Sequence, residues 1–180
     1  MNKNKGKVNR QGFTLLELVV VIAILGGLAV TAAPRFLNLQ SDVRNASLQG
    51  LKGAIESTIN LSYGKMLLAN AEGTLITNGS SAAAIIPGCG ECTFWYGYPP
   101  ADVKTLSVLV DGIEADGSGD FVLTDVQPNN NISNAYYVEI TFPNNMQNGS
   151  LVNDSCYLRY ESRIGAPADA KPIIDLVNCS

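Results

Sequence analysis

The 180-residue chain contains no histidine at all. That single absence removes Ser-His-Asp and Cys-His catalysis, and imidazole metal ligation with them. Basic residues are also scarce, twelve against sixteen acidic ones, and four of the twelve (Lys3, Lys5, Lys7 and Arg10) precede Phe13 with no acid among them. Past that point eight basic side chains face sixteen acidic ones. Such a balance gives no general electrostatic footprint for nucleic acid, and no nucleic-acid partner is expected. No catalytic group, resident cofactor or metal set is expected either.

Charge is missing most conspicuously between Phe13 and Ala33, where Glu17 stands alone in 21 residues. At about 1.5 Å per helical residue this run covers about 31 Å, enough to cross the hydrocarbon core of a bilayer. The four basic residues ahead of it keep residues 1–12 cytoplasmic and place the rest outside the cytoplasm. Glu17 is the anomaly. A carboxylate at the membrane centre is unfavourable by roughly 2 to 3 kcal/mol, less near the edge, and the segment supplies no basic partner. A cut between Gly12 and Phe13 would create an α-ammonium four residues from Glu17. In a bundle of such helices one subunit's new amino terminus could neutralise its neighbour's carboxylate. A secretory signal peptide is the competing reading, but Thr31-Ala32-Ala33 followed by Pro34 is a poor cleavage site. A plain single-pass anchor, with Glu17 merely near the interface, is the other competing reading.

The stretch Gly12-Phe13-Thr14-Leu15-Leu16-Glu17, with its apolar continuation, resembles the class III leader and N-terminal helix of type IV pilins. The resemblance implies cleavage after Gly12 by a prepilin peptidase, N-methylation of Phe13, and assembly of the chain with copies of itself into a helical filament. It implies a single-pass inner-membrane precursor, partnership with an inner-membrane pilus assembly machinery, and a final location in an extracellular pilus. Ala33 to Arg44 and Leu48 to Ala54, with an echo in Phe94 to Pro99, resemble the mannose-sensitive haemagglutinin (MSHA) type of pilin. That implies a major structural subunit with a role in surface attachment. A minor pilin or a type II secretion pseudopilin is the alternative of the same class. A membrane-tethered thiol oxidoreductase using Cys89 and Cys92 is the alternative from another class.

Along the chain, the organisation reads as a leader (1–12), a transmembrane and assembly helix (13–34), an amphipathic half of the same helix (35–68) and a globular region (69–180). Pro34 removes a backbone donor and predicts a kink. Gly26 and Gly27 weaken the helix ahead of it, and the resemblance implies that 26–34 is the stretch that softens on assembly. Leu48, Leu51, Ile55, Ile59, Ser62 and Met66 recur at helical spacing and form a core stripe. Ser47, Gly50, Ala54 and Ser57 run beside it as a strip of small residues that would admit close packing.

Residues 70 to about 102 read as loop-rich, with Gly73, Asn78-Gly79, Pro87-Gly88 and Pro99-Pro100 as breakers. Residues 103–110 fit a short helix or a strand equally. Asp116-Gly117-Ser118-Gly119-Asp120 faintly resembles the start of a calcium loop, but Gln127 stands where an EF-hand needs Glu, and a Gly-rich turn is the better reading. Strands are expected at 121–126, 135–142, 156–160 and 172–178, with Tyr136, Val138, Ile140 and Phe142 on one buried face. The whole predicts an α+β fold, the helix laid on an antiparallel sheet of about four strands, and this agrees with what the resemblance implies.

Four cysteines, Cys89, Cys92, Cys156 and Cys179, are an even number in an oxidising compartment and read as two disulfides with three possible connectivities. The 22 residues between Cys156 and Cys179 do not suit a zinc site. Pairing of Cys89 with Cys92 and of Cys156 with Cys179 is expected from the short first spacing together with the resemblance. Phe94, Trp95, Tyr96 and Tyr98 read as core packing over the helix in preference to an adhesive patch.

Overall fold

The computed structural model describes residues 13–165 and 170–180. The expected leader, Gly12 included, lies outside the described residues. The kink expected at Pro34 falls within residues 33–38, whose side chains lie outside the described set. By contact the chain divides into a unit ending at Gln40 and a unit from Ser41 onward.

Helix α1 runs Leu15–Leu68. In its second half the expected stripe is the buried one: Leu48, Leu51, Ile55, Ile59, Ser62 and Met66 are all at most 5% exposed. Burying one large aliphatic side chain contributes about 1.5–3 kcal/mol, so these side chains are the main fastening of this half. Ser62 satisfies its hydroxyl locally, donating to Ile59 O at 3.0 Å. The strip of small residues beside the stripe stays open. Ser47, Gly50, Ala54 and Ser57 are exposed, and a Cβ added at Gly50 would meet no atom.

After α1 come β1 (Thr77–Asn78), α2 (Gly79–Ile85), β2 (Thr93–Phe94) and α3 (Val103–Leu109). Within the loop-rich stretch 70–102, helix α2 is an element that the breaker residues leave unspecified. Asn78-Gly79 marks its start, with Gly79 in the left-handed region at φ 56°, and Ser80 to Ala84 then supply small residues that one helical turn tolerates. Helix α3 decides the ambiguous segment: Asp102 caps it, its side chain accepting from Thr105 N at 2.9 Å. An Asp at this position satisfies a backbone donor that the helix itself cannot.

The main sheet contains β3 (Val122–Leu123), β4 (Gln127–Pro128), β5 (Ala135–Thr141), β8 (Tyr157–Arg163) and β9 (Ile173–Val177), all antiparallel. Its order is β3-β5-β8-β9, with β4 also on β5. Between β5 and β8 lie the short 3-10 turn Pro143–Asn145 and a small hairpin of β6 (Met146–Gln147) and β7 (Ser150–Leu151). Asn148 and Gly149, at φ 50° and 75°, close that hairpin as an Asn-Gly turn does. Strand β8 runs three residues past the expected end at Tyr160. Glu161 is buried there because Asn129 Nδ2 and the Arg163 guanidinium both donate to its carboxylate.

The principal core joins the α1 stripe to Leu106 and Val110 beside α3, Val138 and Ile140 of β5, and Leu158 and Tyr160 of β8. Val138 and Ile140 keep the alternation read from the sequence, whereas Tyr136 and Phe142 at its two ends stay partly exposed. Thr141, on the opposite face, is buried as well, because its hydroxyl donates to Cys156 O at 2.7 Å. A smaller cluster of Met66, Ala82, Ile86, Cys89, Cys92 and Phe94 lies beneath α2. The fold is α+β, a long N-terminal helix followed by an antiparallel sheet.

Candidate functional site

The N-terminal turn of α1 is built by Thr14 and Glu17. Thr14 Oγ1 accepts from Glu17 N at 3.2 Å, while Glu17 Oε2 accepts from both Thr14 N and Thr14 Oγ1 at 3.0 Å. Thr14 O meanwhile accepts from Leu18 N at 3.3 Å. This is a capping box, Thr-x-x-Glu, in which two backbone donors of the first turn are satisfied reciprocally. The carboxylate therefore has a role inside its own helix, beyond that of a charge in need of a cation. The Thr-x-x-Glu spacing is the sequence signal for it.

Leu15–Ala32 is long and apolar enough to cross a membrane, and none of it is buried within the protomer. Phe13, just ahead of it, and Leu15 and Leu16 at its start are among the most exposed large apolar side chains described. An uncovered apolar surface of this size needs lipid or other helices around it. Gly26 and Gly27 lie within α1, and a Cβ at either would meet nothing within the protomer.

Disulfides join Cys89 to Cys92 and Cys156 to Cys179, so no cysteine is free. Cys89 and Cys92 are both 0% exposed, packed among Met66, Ala82, Ile86 and Phe94. A redox dithiol needs an accessible sulfur, commonly at a helix N-terminus. This pair sits in a turn where Cys92 N donates to Cys89 O, closed off from solvent, which disfavours thiol exchange at this position. The second disulfide is reinforced by a contact not foreseen in the sequence. Asn45 of α1 accepts from Cys179 N through Oδ1 at 2.7 Å and donates through Nδ2 to Cys179 O at 3.4 Å. A side-chain amide grips one backbone unit from both sides, tying the end of the disulfide loop to the helix.

The Gly-rich loop at 116–120 is a turn. Asp116 Oδ1 accepts from Ser118 Oγ at 2.7 Å and Ser118 N at 2.9 Å. Those bonds, the hydroxyl's first and then the amide's, hold the Asp116 carboxyl below its usual range. Among the described residues no three side chains are grouped to hold a metal ion. The aromatic group divides. Phe94 is fully buried, Tyr98 stacks on Tyr63 of α1 with centroids 4.4 Å apart, and Trp95 stays half-exposed against Tyr136.

Comparison with known proteins bears on the first part of the chain. Residues 7–33 match the family described as the prokaryotic N-terminal methylation motif. The type IV narrow pilus major component PilA5 of Thermus thermophilus is 40% identical over 47 residues, which cover 26% of this chain and 40% of that protein. The chain thus spans well under half the length of the curated relative it matches. No solved structure matches. The capped, uncovered apolar helix is accordingly a prepilin-like N-terminal methylation segment, carried by a chain with partial similarity to a type IV pilin.

Proposed function

We propose that the chain is a structural subunit of a type IV pilus, an MSHA-like major pilin. It is made as an inner-membrane precursor and cut between Gly12 and Phe13 by the prepilin peptidase, which also methylates Phe13. It then polymerises with copies of itself through α1, with the globular region serving surface attachment. The observation that carries this reading is the methylation motif on an apolar helix that none of the described residues covers. In the filament, Glu17 meets the α-ammonium of a neighbouring Phe13. Both bonds that the carboxylate accepts within the capping box go to Oε2, so Oε1 is the oxygen assigned to that amine.

The test separates the charge from the cap. Glu17→Gln keeps a box-competent side chain and removes the charge, whereas Glu17→Ala removes both. Each is expressed in cells making no other pilin, and sheared fibres are weighed against membrane-bound mature subunit. Both variants are expected to be inserted and cut normally while fibre yield falls about tenfold or more, as loss of a stabilising ion pair among apolar helices predicts. Normal yield from Glu17→Gln with loss from Glu17→Ala would leave Glu17 a helix cap only. Intact mass must show a chain starting at N-methyl-Phe13. A retained leader or a cut after Ala33 refutes the processing step, and trace abundance in fibres reassigns the chain as a minor subunit.

A further inference from the structure

The core-facing side of β5 and β8 continues past the core. Beyond Val138 and Tyr160, the next residues on that face are Tyr136 and Ser162, paired across the ladder. Ser162 Oγ accepts from Ala101 N at 2.8 Å, and Tyr160 donates to Pro99 O at 2.7 Å. The segment 99–101 is thereby fastened to the sheet. Trp95 stands opposite, held in a tight turn in which Trp95 N donates to Tyr98 O at 2.7 Å and Tyr98 N to Trp95 O at 2.9 Å. The Trp95 and Tyr136 rings meet at 60°, their centroids 6.1 Å apart. With Val126 and Ile164 they wall an open cleft of about 430 Å³. Among the described residues Asp102 is its single charged lining side chain, and Thr93 adds a hydroxyl.

The carboxylate is fixed in place. Asp102 Oδ1 accepts from Thr105 N at 2.9 Å and Oδ2 from Thr105 Oγ1 at 2.8 Å, and each oxygen keeps a further acceptor site. No basic residue among those described lines the cleft. Lys104 nearby is paired with Glu91 at 3.2 Å, and Arg163 with Glu161 at 3.0 Å. Two aromatic rings set edge to face, negative over their faces, and one carboxylate with no basic residue in the lining make a cleft complementary to positive charge. A lysine ammonium is compact and strongly hydrated, and needs more acceptors than these walls offer. A methylated ammonium is bulky, weakly hydrated and apolar at its surface.

We propose that this cleft binds a quaternary ammonium group, the chemistry common to free choline and to a choline lipid headgroup. The proposal is independent of the filament reading. Trp95 is the only tryptophan of the chain, so intrinsic fluorescence reports on the cleft directly. The full chain in a polyoxyethylene detergent is titrated with choline chloride at constant ionic strength, and in parallel with its neutral isostere 3,3-dimethylbutan-1-ol. The expected result is a saturable change with choline, with an affinity at least about tenfold weaker for the isostere. Asp102→Asn, which retains a capping side chain for α3, and Tyr136→Ala each weaken choline binding about tenfold, while an unaltered thermal midpoint for Asp102→Asn certifies the fold. Diheptanoyl phosphatidylcholine below its micellar concentration, set against diheptanoyl phosphatidylglycerol, separates the sources. A response to the choline lipid assigns a headgroup, and a response to free choline alone assigns a solute. Equal binding of the isostere, undiminished binding by Asp102→Asn, or no saturable change overturns the proposal.

Discussion

Tyr160 lies at 0% exposure in the middle of β8, between the helix stripe and the Pro99 loop. Its hydroxyl donates to Pro99 O, and burial, followed by the charge of Asp102, pushes its pKa well above the ordinary 10.0. A tyrosine whose folded pKa is raised holds its proton more tightly in the native state. Its contribution is therefore complete below about pH 10, the unfolded value, and is lost as pH climbs from there toward the folded one. Tyr160→Phe should cost about 1–3 kcal/mol at pH 7, because Pro99 O loses its donor. It should also flatten the alkaline limb. Urea unfolding at pH 7 and at about pH 10.5 checks both parts, and an equal alkaline loss in the two proteins would exclude Tyr160 as its source. Little of this is legible in the sequence. Tyr160 can be assigned to a strand, but the proline carbonyl that it meets lies 61 residues away. Glu17 is the opposite case, since Thr14-x-x-Glu17 spells its cap within one turn.

Among the elements, legibility follows periodicity. The α1 stripe and strand β5 have a repeating pattern that a sequence displays. The end of β8 does not, because Glu161 and Ser162 are buried through partners on distant segments. Helix α2 is hidden because Asn78-Gly79 announces a break and leaves the next element unspecified. The Asn45 grip on Cys179 joins residues 134 apart and leaves no local mark. It yields a prediction for the terminal loop. Removing the Cys156–Cys179 bridge by Ser substitutions should cost about 3 kcal/mol, and Asn45→Ala about 1–2 kcal/mol through its lost bonds. Since both hold the same residue, the triple variant should lose less than the total of the separate effects. A double-mutant cycle by denaturant unfolding measures that coupling, and strict additivity would mean that the helix and the disulfide act on the loop independently.

For the molecule as a whole, the apolar run and the α+β class are legible because each is a long, repeated signal. The Trp95 cleft is not, since it is made where several segments distant in the chain meet. Softening of 26–34 on assembly remains a proposal that belongs to this scale. A Cβ at Gly26 or Gly27 would meet no atom of the described residues, so replacing both by Ala should leave the isolated subunit's contacts undisturbed and favour helix by about 1 kcal/mol at each position. Fibres of the double variant pulled in optical tweezers should extend less at a given force. Unchanged extension would place the compliance elsewhere.

The wide spacing of the core contacts also sets an order in time. The α1 stripe stays uncovered until β5 and β8 have been made, and a fold closed by distant contacts forms slowly. Through that interval four thiols could pair wrongly. Cys89 and Cys92, three residues apart, lie in a short loop made well before Cys156 and Cys179, which are separated by 23. Closing a short loop loses less chain entropy than closing a long one. Were the first pair oxidised early, Cys156 would meet Cys179 with both competitors already withdrawn. On that order the buried Cys89–Cys92 bridge would guard the fidelity of the other one.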